Sequence, residues 1–400
     1  MRLERRLPRL SEIIRFVGPT FQPAKTSRWA RVRTVAHFAS LARRRTPRAV
    51  FDYVEGAADL ELSRDRSVAA FTRAVFHPHV LRNVSEVDPS ASILGRRSSL
   101  PVVLGPTGFT RMMHAAGEPA VARAAGRAGI PYALSTLGTT SIERLAREAS
   151  ATERWIQLYV AKDRGRTNEL VSRAAENGYA TLVLTVDVPV AGARLRDVAN
   201  GLTIPPTLTA RTLLGMARKP RWLFDALTTE PLAFESLGAA RDVMSLINTV
   251  FDPAVTFDDL EWLRSQWAGS IVVKGIQRLD DAREAAAAGA DGLAISNHGG
   301  RQLDRAVSPL DILPRIADEV GDTTEVYLDG GVRSGSDVAV AVAAGARAVF
   351  VARPYLYALM AGGEDGVDHL LKLLREDYSR TLMLLGVTST ADLTRDLVTV

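Results

Sequence analysis

The sequence contains no cysteine in 400 residues. Disulfides, zinc–thiolate sites, iron–sulfur clusters and a cysteine nucleophile are thereby excluded. Nor is there an apolar run approaching the ~18 residues that a membrane-spanning helix needs. Arg9, Glu12 and Arg15 interrupt the start, so no secretory core forms there. These absences lead us to expect a soluble, cytoplasmic protein able to sit at the inner face of a membrane.

Aromatic residues are scarce, at 6%, and do not interleave with the basic residues as nucleic-acid binding would require. Binding to nucleic acid is therefore not expected. The basic residues themselves are concentrated early. Thirteen arginines and lysines precede residue 50, against only Glu4 and Glu12, in a chain of net charge +5. Such an arm either attracts an anionic surface or is simply solvated.

From about residue 100 the pattern becomes regular. Short apolar, β-branched runs fall at 101–104, 132–134, 155–159, 181–186, 271–274, 292–295, 325–328 and 348–351. Runs of helical period lie between them, at 118–128, 141–148, 167–177, 279–288 and 336–344. Eight strands alternating with helices predict an α/β fold, a (β/α)8 TIM barrel, rather than a doubly wound sheet. Ala-Gly pairs at 128–129, 288–289 and 344–345 precede three of the strands, where glycine would end a helix in a left-handed turn. We expect a basic N-terminal arm over 1–45, the barrel over 46–390 and a C-terminal tail over 391–400. A Pro-, Thr- and aromatic-rich insertion after strand four, over 197–258, carries Pro205, Pro206, Pro220, Trp222, Phe224, Pro231 and Phe234. It reads as a lid or substrate loop, or alternatively as an oligomer contact.

Reactive groups in such a barrel sit at the C-terminal strand ends. In order, those ends are Pro106-Thr107-Gly108, Ser135-Thr136, Gln157-Leu158-Tyr159, Thr185-Val186-Asp187, Lys274-Gly275, Ser296-Asn297-His298, the stretch Asp329 to Arg333, and Arg353. Polar groups at every end converge on one mouth, which folding alone does not require. Gly331, Arg333 and Arg353 suit a phosphate, although Gly-Gly-Val-Arg alone could be a plain turn. Lys274 reads as a lone cation pointing into the mouth, for a salt bridge or for holding negative charge. His298 has Asp187 across the mouth to orient it, the arrangement expected of a base. Arg194 and Arg301 suit a substrate carboxylate.

Ser-Asn-His-Gly-Gly-Arg-Gln-Leu-Asp at 296–304 is the most specific segment. With Phe-Asp-Tyr at 51–53, Gln-Leu-Tyr at 157–159, Thr-Val-Asp at 185–187, Val-Lys-Gly at 273–275 and Asp-Gly-Gly-Val-Arg at 329–333, it resembles the FMN-dependent 2-hydroxy-acid dehydrogenases and oxidases. Within that family, residues 105–114 and 189–197 are similar to bacterial L-lactate dehydrogenases that pass electrons to quinone or a cytochrome. The resemblance implies FMN as cofactor and a small L-2-hydroxy acid as substrate. It also implies peripheral membrane contact and a homo-oligomer, a tetramer by analogy.

Site roles follow from the same resemblance. His298 accepts a proton, Asp187 stabilises the imidazolium, and Tyr159 bonds the substrate hydroxyl. Tyr53, Arg194 and Arg301 bind the carboxylate, and Leu137 limits side-chain size. Lys274 sits beside the flavin. Pro106, Thr107, Gly108, Ser135, Gln157, Thr185, Ser296, Asp329, Gly331, Arg333, Ala352 and Arg353 contact the cofactor. Two positions depart from the family pattern: Ala57 and Ala352 stand where glycine is usual. Two alternatives remain at this point. One is the same flavin chemistry on another 2-hydroxy acid or a peptide-derived cofactor precursor. The other is a non-catalytic flavoprotein or nucleic-acid-binding barrel.

Overall fold

The computed structural model describes residues 7, 9–12, 28–201, 210–237 and 251–400. The chain divides into two compact units, residues 1–33 and 34–400. Most of the basic arm, including Arg2, Arg5, Arg6, Arg15 and Lys25, lies outside the described residues, as do Pro205 and Pro206.

Eight parallel strands close into a barrel, as expected. We number them β1 (Val102–Leu104), β2 (Tyr132–Leu134), β3 (Arg154–Leu158), β4 (Thr181–Thr185), β5 (Ser270–Ile276), β6 (Gly292–Ser296), β7 (Glu325–Asp329) and β8 (Ala348–Val351). Their side chains are buried on both faces, which explains why they read as continuous apolar runs. Inside, every strand contributes: Val103, Ala133, Trp155, Val183, Val272, Ala294, Tyr327, Ala348 and Phe350 form one cluster. Three large rings fill it edge to face, Trp155 to Tyr327 at 6.3 Å and to Phe350 at 6.0 Å, with alanines opposite making room. A hairpin pairing Ala91–Ile93 with Arg96–Ser98 closes the floor with Ile93. The barrel is thus a packed core, and only its upper rim is free for chemistry.

The helices match the periodic runs to within a few residues. Gly129, Gly289 and Gly345 all take positive φ, as helix-ending glycines should. The helix expected at 167 starts at Arg164, because Asp163 caps it by accepting from Gly165 N at 2.9 Å.

The start of the chain differs from expectation. Helix α1 (Val35–Arg45) belongs to the second unit, so the arm stops near residue 33 rather than 45. Val35, Phe38 and Ala42 give that helix a buried face, which packs on the helix Arg353–Gly362. Within the C-terminal tail, Val398–Thr399 pairs antiparallel with Val75–Phe76.

Two further helices frame the mouth, α2 (Arg48–Glu55) and α3 (Leu62–Arg73). The turn between them is pinned to the strand-six loop. Ala58 N donates to Gly300 O at 2.8 Å, and Ser63 N donates to the Asp304 carboxylate at 2.8 Å. The insertion after β4 contains short helices at Leu195–Ala199, Ala210–Ala217 and Pro220–Thr228. Trp222 fastens the last of these by donating to Met112 O at 3.0 Å.

Candidate active site

A cavity opens at the C-terminal rim. Every site residue named from sequence lines it except Asp187 and Ser296, which stand directly behind it. Sheet register explains the convergence. Thr185 on β4 is paired with Lys274 on β5, and Ser296 on β6 with Asp329 on β7. Residues in register on neighbouring strands of a closed barrel project together.

Behind the rim sits a buried polar chain. Lys274 Nζ lies 2.7 Å from the Asp329 carboxylate and 3.1 Å from Ser296 Oγ, and Ser296 in turn donates to Asp329 at 2.7 Å. Lys274 is therefore not the lone cation its sequence context suggested, since β7 supplies its counter-ion. Burial alone would lower its pKa, but Asp329 and Asp187 outweigh that and raise it, so it stays charged.

His298 follows β6 in a tight loop held by Asn297, whose side chain accepts from Gly300 N at 3.1 Å. Its Nδ1 is 3.0 Å from Asp187 Oδ1. Burial pushes the Asp187 carboxyl up, yet the imidazole and Lys274 more than offset this and hold it below the usual carboxylate range. Asp187 reaches this position because β5 bulges beside it. Gly275 sits at φ +121°, and a Cβ there would come within 2.7 Å of Asp187 Cβ.

The opposite wall is cationic. The Arg194 and Arg301 guanidinium carbons lie 5.4 Å and 4.9 Å from the Tyr53 ring centre. Arg301 also donates to Tyr53 O at 2.6 Å and Gly56 O at 3.0 Å, which aims it from below. Burial, with Arg194 adding repulsion, lowers its pKa. Two guanidiniums held this close invite an anion between them. The Tyr159 hydroxyl borders the same space. Burial first, and then Asp187, raise its pKa, so it remains a donor.

Arg353, read from sequence as a phosphate ligand, lines the cavity and is also tied to the backbone. Its Nε, Nη1 and Nη2 each donate at 2.8 Å, to Val54 O, Gly299 O and Gly56 O. Its fork braces the end of α2 against the His298 loop. Burial, with Arg301 and Arg333 opposing, pushes its pKa down to about 10. Ala352 causes no positive-φ strain, since it sits at φ −121°. Gly330, Gly331 and Arg333 line the cavity together with Arg353. Gly331 sits at φ +86°, and a Cβ there would lie 2.3 Å from Ser67 O on α3. Gly331→Ala is therefore expected to destabilise the protein by about 2–4 kcal/mol. A urea midpoint equal to that of the unsubstituted protein would refute so tight a fit.

Sequence reasoning missed several wall residues. Phe109 packs on Tyr53 at 5.9 Å and on Phe234 at 4.6 Å, and Phe251 meets Tyr159 at 4.9 Å. Phe109 directly follows a strand-end motif, and that position was a usable signal. Phe251 comes from the insertion, where nothing periodic marks it, while Phe234, named in that insertion from sequence, backs Phe109 from behind the cavity wall. Tyr355, wholly buried, donates to Gly105 O at 2.8 Å and contacts Thr107 Oγ1 at 2.6 Å.

Several buried polar atoms around the cavity have no protein partner: Gln157 Nε2, Thr185 Oγ1 and Asp187 Oδ2. Gln157 Oε1 is already engaged by Ser135 Oγ at 3.1 Å and Thr136 N at 3.2 Å, so its amide nitrogen is turned free. Buried polar groups left unpaired are costly unless a ligand completes them. Orphaned amide and hydroxyl groups, a buried lysine and a glycine cradle suit a planar, hydrogen-bonding cofactor with a phosphate tail.

Comparison with known proteins agrees. The FMN-dependent dehydrogenase family matches residues 42–400. A Mycobacterium tuberculosis protein provisionally named an L-lactate dehydrogenase is 50% identical over 397 residues, 98% of this chain and 96% of its own length. The L-lactate dehydrogenase of Caulobacter vibrioides is 43% identical over 370 residues, 90% of this chain and 96% of that one. Among solved structures, the monotopic membrane protein (S)-mandelate dehydrogenase superposes with a TM-score of 0.88 at 38% identity, over 92% of this chain and 99% of that one. The barrel, the orphaned groups on its rim and a match over nine-tenths of the chain make this protein an enzyme of the FMN-dependent dehydrogenase family, with FMN as its cofactor.

Proposed function

We propose that the protein oxidises a short L-2-hydroxy acid, L-lactate foremost, to the 2-keto acid, and passes the electrons to quinone or another respiratory carrier. The observation that carries this reading is the His298–Asp187 pair, 3.0 Å apart, facing a wall of two guanidiniums beside Tyr159.

Arg301 and Arg194 bind the substrate carboxylate, with Tyr53 between them. That anchor leaves the 2-hydroxyl facing Tyr159 and His298. Asp187 holds the Nδ1 proton, a tautomer assigned from the hydrogen bond, so Nε2 is free to accept one. The ionised Asp187 then stabilises the imidazolium. Tyr159, kept protonated, donates to the substrate oxygen. Gln157, Thr185, Ser135 and Thr107 would hold the flavin ring, and Gly331 with Arg333 the phosphate. Bound FMN supplies a two-electron acceptor. Lys274, charged and lining the cavity, would supply a fixed positive charge to offset the negative charge of the reduced cofactor.

The described insertion exposes Leu213, Leu214, Phe224, Leu227 and Leu232 close together in sequence. Exposed apolar side chains at this density support peripheral membrane contact, which a lipid-soluble acceptor would require. No helix among the described residues is long and apolar enough to cross a membrane.

The purified protein should be yellow and should bleach under anaerobic L-lactate but not D-lactate. Absence of bleaching by any short L-2-hydroxy acid would refute the reading.

A further inference from the structure

Glu118 lies outside the catalytic set, yet its chemical setting is unusual. It stands at the start of the helix Gly117–Ala128 and is wholly buried. Among the described residues no cation pairs with it. The nearby Arg111 guanidinium turns instead toward Glu230 and Glu235. A buried carboxylate without a counter-ion is rare, because burial penalises the charge. A helix N-terminus eases that penalty but does not select one loop over another.

The donors facing Glu118 all come from one loop. Thr139 N and Thr139 Oγ1 donate to Oε1 at 2.6 and 2.8 Å. Thr140 Oγ1 donates to Oε2 at 2.9 Å. Since the Thr139 hydroxyl donates to Glu118, its oxygen is left to accept, and it does so from Arg111 N at 3.0 Å. One carboxylate therefore joins the loop after β2 to the loop after β1.

Between these anchors the two loops touch at the cavity. Phe109 N donates to Leu137 O at 3.0 Å. The position a Cβ would take on Gly108 is only 3.1 Å from Leu137 Cβ. Leu137 and Gly108 both line the cavity. Glu118 anchors only residues 139 and 140, while Ser135 is held separately by Gln157, so a shift of residues 137–140 would change the room beside the substrate without touching Ser135, His298, Arg301 or Lys274.

We propose that Glu118 is a positioning residue for substrate side-chain selection, acting through Thr139 and Thr140 to hold Leu137 against Gly108. This rests on the 2-hydroxy-acid oxidation proposed above. Glu118→Gln keeps size and shape but turns an amide toward donors, which loosens the loop.

The experiment compares kcat/KM for L-2-hydroxyhexanoate and L-lactate, and titrates FMN binding by fluorescence. In Glu118→Gln the ratio of the longer to the shorter acid should rise about fivefold or more. The KM for L-lactate should climb about tenfold with little change in kcat, the mark of lost uniform binding. The FMN dissociation constant should stay within about threefold, since lost scaffolding would weaken FMN together with substrate. Thr139→Ala, which removes one partner hydroxyl, should move the ratio the same way by a smaller factor. A ratio unshifted in both variants overturns the proposal, and so does loss of FMN from both, which would make Glu118 a scaffold residue only. A wild-type protein inert toward every L-2-hydroxy acid overturns instead the function on which the proposal rests.

Discussion

Replacing His298 with alanine will leave FMN bound and slow flavin reduction by L-lactate by about 10⁴-fold, the upper range for a positioned base. The side chain touches the fold mainly through its 3.0 Å bond to Asp187. The backbone contact from His298 N to Ser296 Oγ at 3.0 Å survives the change. Two side effects need separating from the chemistry. His298 sits at φ +56°, where alanine is strained. Asp187 would also lose its partner, with a cost of about 1–3 kcal/mol. His298→Asn controls for both, since asparagine tolerates that backbone and offers Asp187 a donor. Both variants should purify yellow, with a full complement of FMN by absorbance, and both should fail to bleach in anaerobic stopped flow. Reduction above about 1% of the unsubstituted rate in either would remove His298 from the role of base.

The barrel was legible because its signal is redundant. Eight strands buried on both faces read as apolar runs even when each is only three to seven residues long. The site was legible for a related reason. Once the strands are placed, their C-terminal ends must share one rim, so Thr185, Lys274, Ser296 and Asp329 meet by register alone. Pairwise geometry was less accessible. Nothing in the spacing of Lys274 and Asp329 marks an ion pair across two strands. Likewise, sequence cannot show that the Arg353 donors face three backbone carbonyls. Such partners depend on side-chain direction, which periodicity does not encode. The arm boundary was misplaced because α1 carries Arg43, Arg44 and Arg45 on its exposed end, and these mask a buried stripe of Val35, Phe38 and Ala42. Composition read the charge and missed the stripe.

The Lys274–Asp329 pair leads to the second large effect. Lys274→Met keeps the stem but removes the charge, leaving Asp329 buried with Ser296 as its remaining side-chain donor. Breaking a buried pair from one side should cost about 3–5 kcal/mol of stability in urea unfolding. The wild-type contribution has a defined pH window. The folded-state pKa of Lys274 is raised, so its stabilisation is complete below the unfolded value of ~10.4 and fades only as pH climbs through the higher folded value. The deficit should therefore be constant from neutral pH to about 10 and shrink above that. Flavin reduction should also fall by about 10²–10³-fold, because among the described residues no other lysine lines the cavity to hold the developing charge. Stability and chemistry can then be uncoupled. Lys274→Met combined with Asp329→Asn removes the unpaired carboxylate, so it should recover at least about half of the lost stability while reduction stays slow. If the double variant regains its reduction rate, Lys274 serves only to neutralise Asp329. If the single variant is as stable as the wild type, the buried pair is not the structural anchor its 2.7 Å contact indicates.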